Sequence, residues 1–238
     1  ALEKMGEKIP PYETLCRFIG PPLKTGFSEF CGLNEETAEK AVEYYREYYH
    51  VKGVLDCEVY PGIPALLERL QSAGKRAVLA TSKPEKFAKI ILEHFGLSKY
   101  FYFIGGASFD DTRNEKYQVI EYVINACGIK DKTAAVMVGD RFHDIEGAKF
   151  NGIATVGVLY GFGNRKELEN AGADAIAESV SAIESILLFK FIISKCSSRI
   201  FIPIKISIIP PAISALLLYF RPKTLPTLRP APEIIKVM

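Results

Sequence analysis

The chain has 238 residues, 48% hydrophobic and 24% charged, a balance that excludes a disordered or fibrous chain and allows one large or two modest cores. The formal net charge of +2 averages two unlike regions: up to about residue 188 acids outnumber bases by five, whereas residues 189–238 carry a net +7. Cys16, Cys31, Cys57, Cys127 and Cys196 are scattered without a C-x-x-C pair, which excludes a disulfide framework or clustered zinc site and predicts reduced thiols in the cytoplasm.

The opening residues read as the tail of a helix ending at Gly6, so the sequence is expected to start inside a domain. No charged segment followed by an apolar one opens it, so no secretory signal is expected. A helix is predicted over 34–50, with Asn34 as N-cap, Glu35 and Glu36 at the positive end of the dipole, and Ala38, Ala41, Val42, Tyr45 and Tyr49 as one stripe. With the segment 12–30 it makes a small helical unit. Tyr60-Pro61-Gly62-Ile63-Pro64 interrupts that pattern and introduces a helix over 65–73.

The period then alternates. Strands are predicted at 76–80, 102–104, 134–138 and 153–158. Helices are predicted from Pro84 to Gly96, over 115–126, over 144–150 and near 165–171. Strands alternating with helices indicate βαβ units, hence an α/β fold with a Rossmann-like parallel sheet. Functional groups are expected where strands end and helices begin.

Residues 189–238 differ, with no glycine, seven of the fourteen prolines and a single acid, Glu233. The apolar run 206–220 is shorter than the roughly 20 residues that span a bilayer, and Pro210-Pro211 interrupts it. The scattered bases form no helical face, so neither membrane nor nucleic acid is expected as a partner. The tail reads as a segment outside the domain. A minor alternative lays a tail strand near 198–209 into the sheet, against which Pro203 counts because it lacks a ladder donor.

Three strand ends carry candidate chemistry. Gly139-Asp140-Arg141-Phe142-His143-Asp144 follows an apolar strand and sets two carboxylates four residues apart, a hard-oxygen arrangement that suits Mg²⁺. The plain alternative makes Asp140 a turn residue and Asp144 a helix N-cap. Thr81-Ser82-Lys83-Pro84 offers hydroxyls and amides for a phosphate, or merely a cap for the next helix. Lys116, opening the helix after the next strand, can neutralise a phosphoryl group or simply be solvated.

Thr81-Ser82-Lys83-Pro84, then Lys116, then Gly139-Asp140 with Asp144, taken in order, resemble the haloacid dehalogenase superfamily. The nearest likeness is to its phosphoglycolate-phosphatase-like branch with a helical cap. Phe18-Ile19-Gly20-Pro21-Pro22-Leu23, Val59-Tyr60-Pro61-Gly62 and Gly105-Gly106-Ala107-Ser108 add to the likeness. The resemblance implies a cap over 1–58 preceded by a further core strand, a core over 59–188, and a foreign tail over 189–238. It also implies Mg²⁺-dependent hydrolysis of small-metabolite phosphate monoesters. Thr81, Lys116 and Asp140 would be catalytic, Thr81, Ser82 and Lys116 would bind phosphate, and Asp140 and Asp144 would hold the metal, Asp144 through a water or by orienting Lys116. 2-Phosphoglycolate leads as substrate, a nucleoside monophosphate follows, and a phosphate-binding remnant without catalysis is the rival. Arg46 and Lys83 could reach a second anionic group, with solvent exposure the plainer reading of each. The family's Asp-x-Asp nucleophile and acid pair has no match anywhere in the 238 residues, so the chain is expected to be a poor catalyst.

Overall fold

A computed structural model describes residues 1–18, 21–110 and 112–190, together with 201–204. Ile19, Gly20, Asp111, Cys196 and the apolar run 206–220 lie outside the described residues.

The helical unit contains α1 (Leu2–Met5), α2 (Tyr12–Cys16), α3 (Leu23–Cys31) and α4 (Glu35–Val51). In α4 the Asn34 side chain accepts from the Thr37 amide at 2.9 Å, and the five residues of the predicted stripe are the buried ones. Edge-to-face contacts of Phe18 with Phe27 and Phe30, at 5.1 and 5.3 Å between centroids, pack the unit around α3.

After the joint at Cys57–Tyr60 the chain alternates through α5 (Ile63–Ser72), β1 (Arg76–Pro84), α6 (Glu85–His94), β2 (Phe101–Ala107) and α7 (Lys116–Ala126). It continues through β3 (Val136–Gly139), α8 (Phe142–Phe150), β4 (Ala154–Val158), α9 (Arg165–Asn170), β5 (Ala175–Ala177) and α10 (Val180–Ser185), with β6 at Phe201–Ile204. The sheet is parallel throughout, in the order β2-β1-β6-β3-β4-β5. Alternation along the strands divides the core. Ala77, Leu79, Val136 and Val138 face one cluster, which includes Leu67, Leu70 and Ile91. Val78, Ala80 and Met137 face the other, with Val119, Ile120 and Ala148. Burial on both faces is why these strands read as continuous apolar runs.

The α/β architecture agrees with the sequence reading, and two details differ. β5 and α10 have no clear period in the sequence and were not among the predicted elements. Phe201–Ile204 pairs with β1 over four positions, from Arg76↔Phe201 to Leu79↔Ile204, and meets β3 at Val138↔Ile204. The expectation of a tail outside the domain therefore does not extend to these four residues. Pro203 sits opposite Val78, where it offers a carbonyl and no amide hydrogen. No helix among the described residues is long and apolar enough to cross a membrane.

Candidate active site

The carboxyl ends of β1 and β3 and the first turns of α7 and α8 meet at one end of the sheet. Lys116 is the tie between them. It opens α7, is buried, and its ammonium group lies 3.2 Å from Asp144 Oδ1 while donating to the Ala80 carbonyl at 3.1 Å. One cation thus joins the end of β1 to the start of α8, across the strand position between β1 and β3.

Asp144 is the third residue of α8, not its N-cap, because the helix starts earlier than predicted. Its Oδ2 accepts from the Arg141 amide at 3.0 Å. Gly139 is needed for close approach here: a Cβ at that position would lie 2.3 Å from Asp144 Cβ and 2.7 Å from Oδ2. Its service is room for the carboxylate.

Asp140 is wrapped by the turn after β4. Its Oδ2 accepts from the Phe162 amide at 2.9 Å and its carbonyl accepts from the Gly163 amide at 2.9 Å. A Cβ on Gly161 would stand 2.5 Å from Oδ2, so this loop is cut to fit the carboxylate. Burial, and then the Tyr60 phenol and the Asp140 carboxylate, push the Tyr160 phenol well above its ordinary range. The Tyr60 hydroxyl donates to the Tyr160 carbonyl, fastening the hinge to this loop. Glu167 holds Arg141 Nε at 2.7 Å and the Phe142 amide at 3.0 Å, which fixes the first turn of α8. Neither Glu167 nor Tyr160 was a sequence candidate, since partners some twenty residues away leave no local pattern. The Gly161-Phe162-Gly163 run was the available signal.

Thr81 is 1% exposed and its hydroxyl accepts from the Lys83 amide at 3.1 Å. Asp140 is 2% exposed and Asp144 is fully covered. Ser82, Lys116, Asn114 and His143 line a cavity of about 830 Å³ between this floor and the helical unit. The opposite wall is aromatic. Tyr45 stacks on Tyr49 at 5.5 Å, Tyr49 meets Phe87 edge-on at 5.1 Å, and Phe87 meets Phe109 at 5.6 Å, and all four line the cavity. Arg46 is exposed at its rim. Lys83 overturns its solvent-exposed reading: it is 1% exposed, with its amine against the Tyr49 hydroxyl.

Of the sequence candidates Ser82 and Lys116 line this cavity, whereas Thr81, Asp140 and Asp144 are not among its lining residues. Mg²⁺ takes one or two carboxylates and completes its shell with water and substrate oxygens. Asp140, with one carboxylate oxygen held by the Phe162 amide, suits that donor set, whereas both Asp144 oxygens are engaged, by Lys116 and by the Arg141 amide. Among the described residues no three or more His, Cys, Asp or Glu side chains are grouped so as to hold a metal ion by themselves.

Residues 1–158 match the family described as haloacid dehalogenase-like hydrolase. A Pseudomonas aeruginosa protein named 5'-nucleotidase is 38% identical over 187 residues, covering 79% of this chain and 84% of its own. A Vibrio parahaemolyticus protein named phosphoglycolate phosphatase is 30% identical over 166 residues, covering 69% of this chain and 72% of its own. The crystal structure of a predicted phosphatase from Clostridium acetobutylicum superposes with a TM-score of 0.73 at 44% identity, covering 79% of this chain and 86% of that one.

Proposed function

Because the chain belongs to the haloacid dehalogenase-like hydrolases, we propose that its site binds the phosphate of a small-metabolite phosphate monoester together with Mg²⁺, in the service of phosphomonoester hydrolysis in the cytoplasm. The observation that carries this is the Lys116 tie: a buried cation held by Asp144 and the Ala80 carbonyl, opening onto a cavity beside Ser82. In this reading Lys116 balances charge on the transferring phosphoryl group, and the Ser82 hydroxyl and the turn that Thr81 organises orient its oxygens. Asp140 would hold the metal, which supplies charge neutralisation at the phosphoryl oxygens. Asp144 keeps Lys116 in place. The Asp-x-Asp pair has no counterpart in the sequence, so we assign attack on phosphorus and protonation of the leaving group to none of these residues.

The aromatic wall bears on the leaving group. A cavity of about 830 Å³ is in the range that accepts drug-sized ligands, far larger than a two-carbon acid needs, and flat rings stack favourably on aromatic faces. This supports a nucleoside 5'-monophosphate over 2-phosphoglycolate.

The test is a panel of phosphate esters (AMP and other nucleoside monophosphates, ribose 5-phosphate, 2-phosphoglycolate) assayed for binding and for phosphate release, with Mg²⁺ and with chelator. The chain is assayed alone and fused to an added strand bearing Asp-x-Asp-Gly-Thr. Metal-dependent binding by the chain, with turnover in the fusion that falls at least a hundredfold in Asp140→Asn, is expected. Binding indifferent to both chelation and Asp140→Asn would reject the reading.

A further inference from the structure

Among the described residues Lys83 heads the fully buried side chains by volume, and no step of the proposed chemistry uses it. It is the penultimate residue of β1, directly after Ser82. Its amine meets the Tyr49 hydroxyl and lies 4.5 Å from the centroid of that ring, so a core strand touches the cap helix α4 through one lysine and one phenol. Around the contact stand Phe87, edge-on to both Tyr49 and His50 at 5.1 and 4.7 Å, and Tyr45, stacked on Tyr49. The aromatic side chains of this seam are those that wall the cavity.

We propose that Lys83 and Tyr49 form the contact that governs whether the cap seats over the cavity, with Lys83 as a positioning residue of the site.

A buried amine is tolerated only when hydrogen-bonded or uncharged. Lys116, at the same end of the sheet, has Asp144; among the described residues no acid pairs with Lys83. The groups facing it are the Tyr49 phenol from α4 and the Cys57 thiol from the joint, with Tyr45 behind Tyr49. Glu85, at the start of α6, is engaged by Lys89 at 2.6 Å and by Arg113 at 3.7 Å. Burial pulls the Lys83 amine down to about 7, with Cys57 opposing weakly, and burial pushes both phenols far up. With the cap lifted the amine returns to water and an ordinary value of 10.5. Seating the cap therefore releases a proton between pH 7 and 10.5. The seated state binds fewer protons there, so its population rises with pH, by up to about tenfold per unit. Below pH 7 the amine is protonated in both states and the dependence vanishes.

The inference rests on the phosphatase reading only for what the cavity holds. The test uses the full chain, with inorganic phosphate as the probe. Hydrogen exchange of the α4 amides, corrected for the intrinsic pH dependence of exchange, is followed from pH 6 to 9, and the Lys83 amine is titrated by lysine-selective NMR. Wild-type protection should be flat below pH 7 and climb severalfold per unit above it. Lys83→Met, near in volume, should be flat throughout. Tyr49→Phe, which leaves the amine without its hydroxyl partner, should lose protection severalfold at each pH. A wild-type slope that survives in Lys83→Met, or a Lys83 amine titrating near its ordinary value, would overturn the proposal. The titration decides the matter even if a variant fails to fold. Phosphate binding without a pH slope in α4 rejects the seam contact and leaves the phosphatase reading standing; a slope without phosphate binding does the reverse.

Discussion

Two lysines are buried at the same end of the sheet, and their settings divide the site into unlike halves. Lys116, in the floor, has a carboxylate at 3.2 Å and a carbonyl at 3.1 Å. Lys83, in the seam between β1 and α4, has a phenol. The floor is built around a charge, with the Asp140 carboxylate accepting from the Phe162 amide and the Asp144 carboxylate from the Arg141 amide. The seam is built from aromatic rings and resists a charge. If the floor takes phosphate and the seam closes and reopens, as proposed, the two surfaces make opposite demands on the same side-chain type.

Breaking the floor should have the largest effect. Lys116→Met leaves Asp144 buried without its cation. It should destabilise the fold by about 3–5 kcal/mol and abolish phosphate binding, as read by denaturant titration and calorimetry. The seam gives the next effect, and its sign is set by Lys83. The amine titrates near 7 when folded and at 10.5 in the ordinary case, so the unfolded chain holds more protons across that interval. Folding stability should rise with pH by up to about 1.4 kcal/mol per unit from pH 8 to 9. Lys83→Met should remove that increment, which paired denaturation curves at the two pH values will show.

The aromatic wall offers a sharper cut. Phe109, 52% exposed, lines the cavity and meets Phe87. Phe109→Ala should weaken AMP by about threefold to tenfold, the equivalent of about 0.5–1.5 kcal/mol for one ring pair, and leave inorganic phosphate and ribose 5-phosphate unchanged. The smallest effect belongs to the cap alone. Asn34→Ala removes the side chain that accepts from Thr37 and should cost about 1 kcal/mol in thermal stability, with phosphate affinity unaltered.

The same division marks what could be read from sequence. α4 was legible down to its N-cap and all five buried positions, because an amphipathic helix writes its packing into its own period. β1, β3 and β4 were legible because each carries a short apolar run, such as 77–80 and 136–138, as strands buried on both faces do. Thr81, Lys116, Asp140 and Asp144 were named from their places at strand ends, and the structure sets Lys116 against Asp144. What did not show was long-range. Glu167 reaches Arg141 across 26 residues and Tyr49 reaches Lys83 across 34. A lysine with such a partner has the same letter as one in water. β5, three residues of small and branched side chains, is too short to carry a period. The strand at 201–204 lies beyond a proline-rich composition that argued against it.

The central claim is that the floor takes phosphate and Mg²⁺ together, and calorimetric titration of inorganic phosphate into the full chain, with and without Mg²⁺, tests it most directly. The account predicts that Mg²⁺ tightens phosphate at least tenfold, and that phosphate tightens Mg²⁺ by the same factor, as linkage requires. Phosphate that binds equally well in chelator, or that does not bind at all, would contradict it.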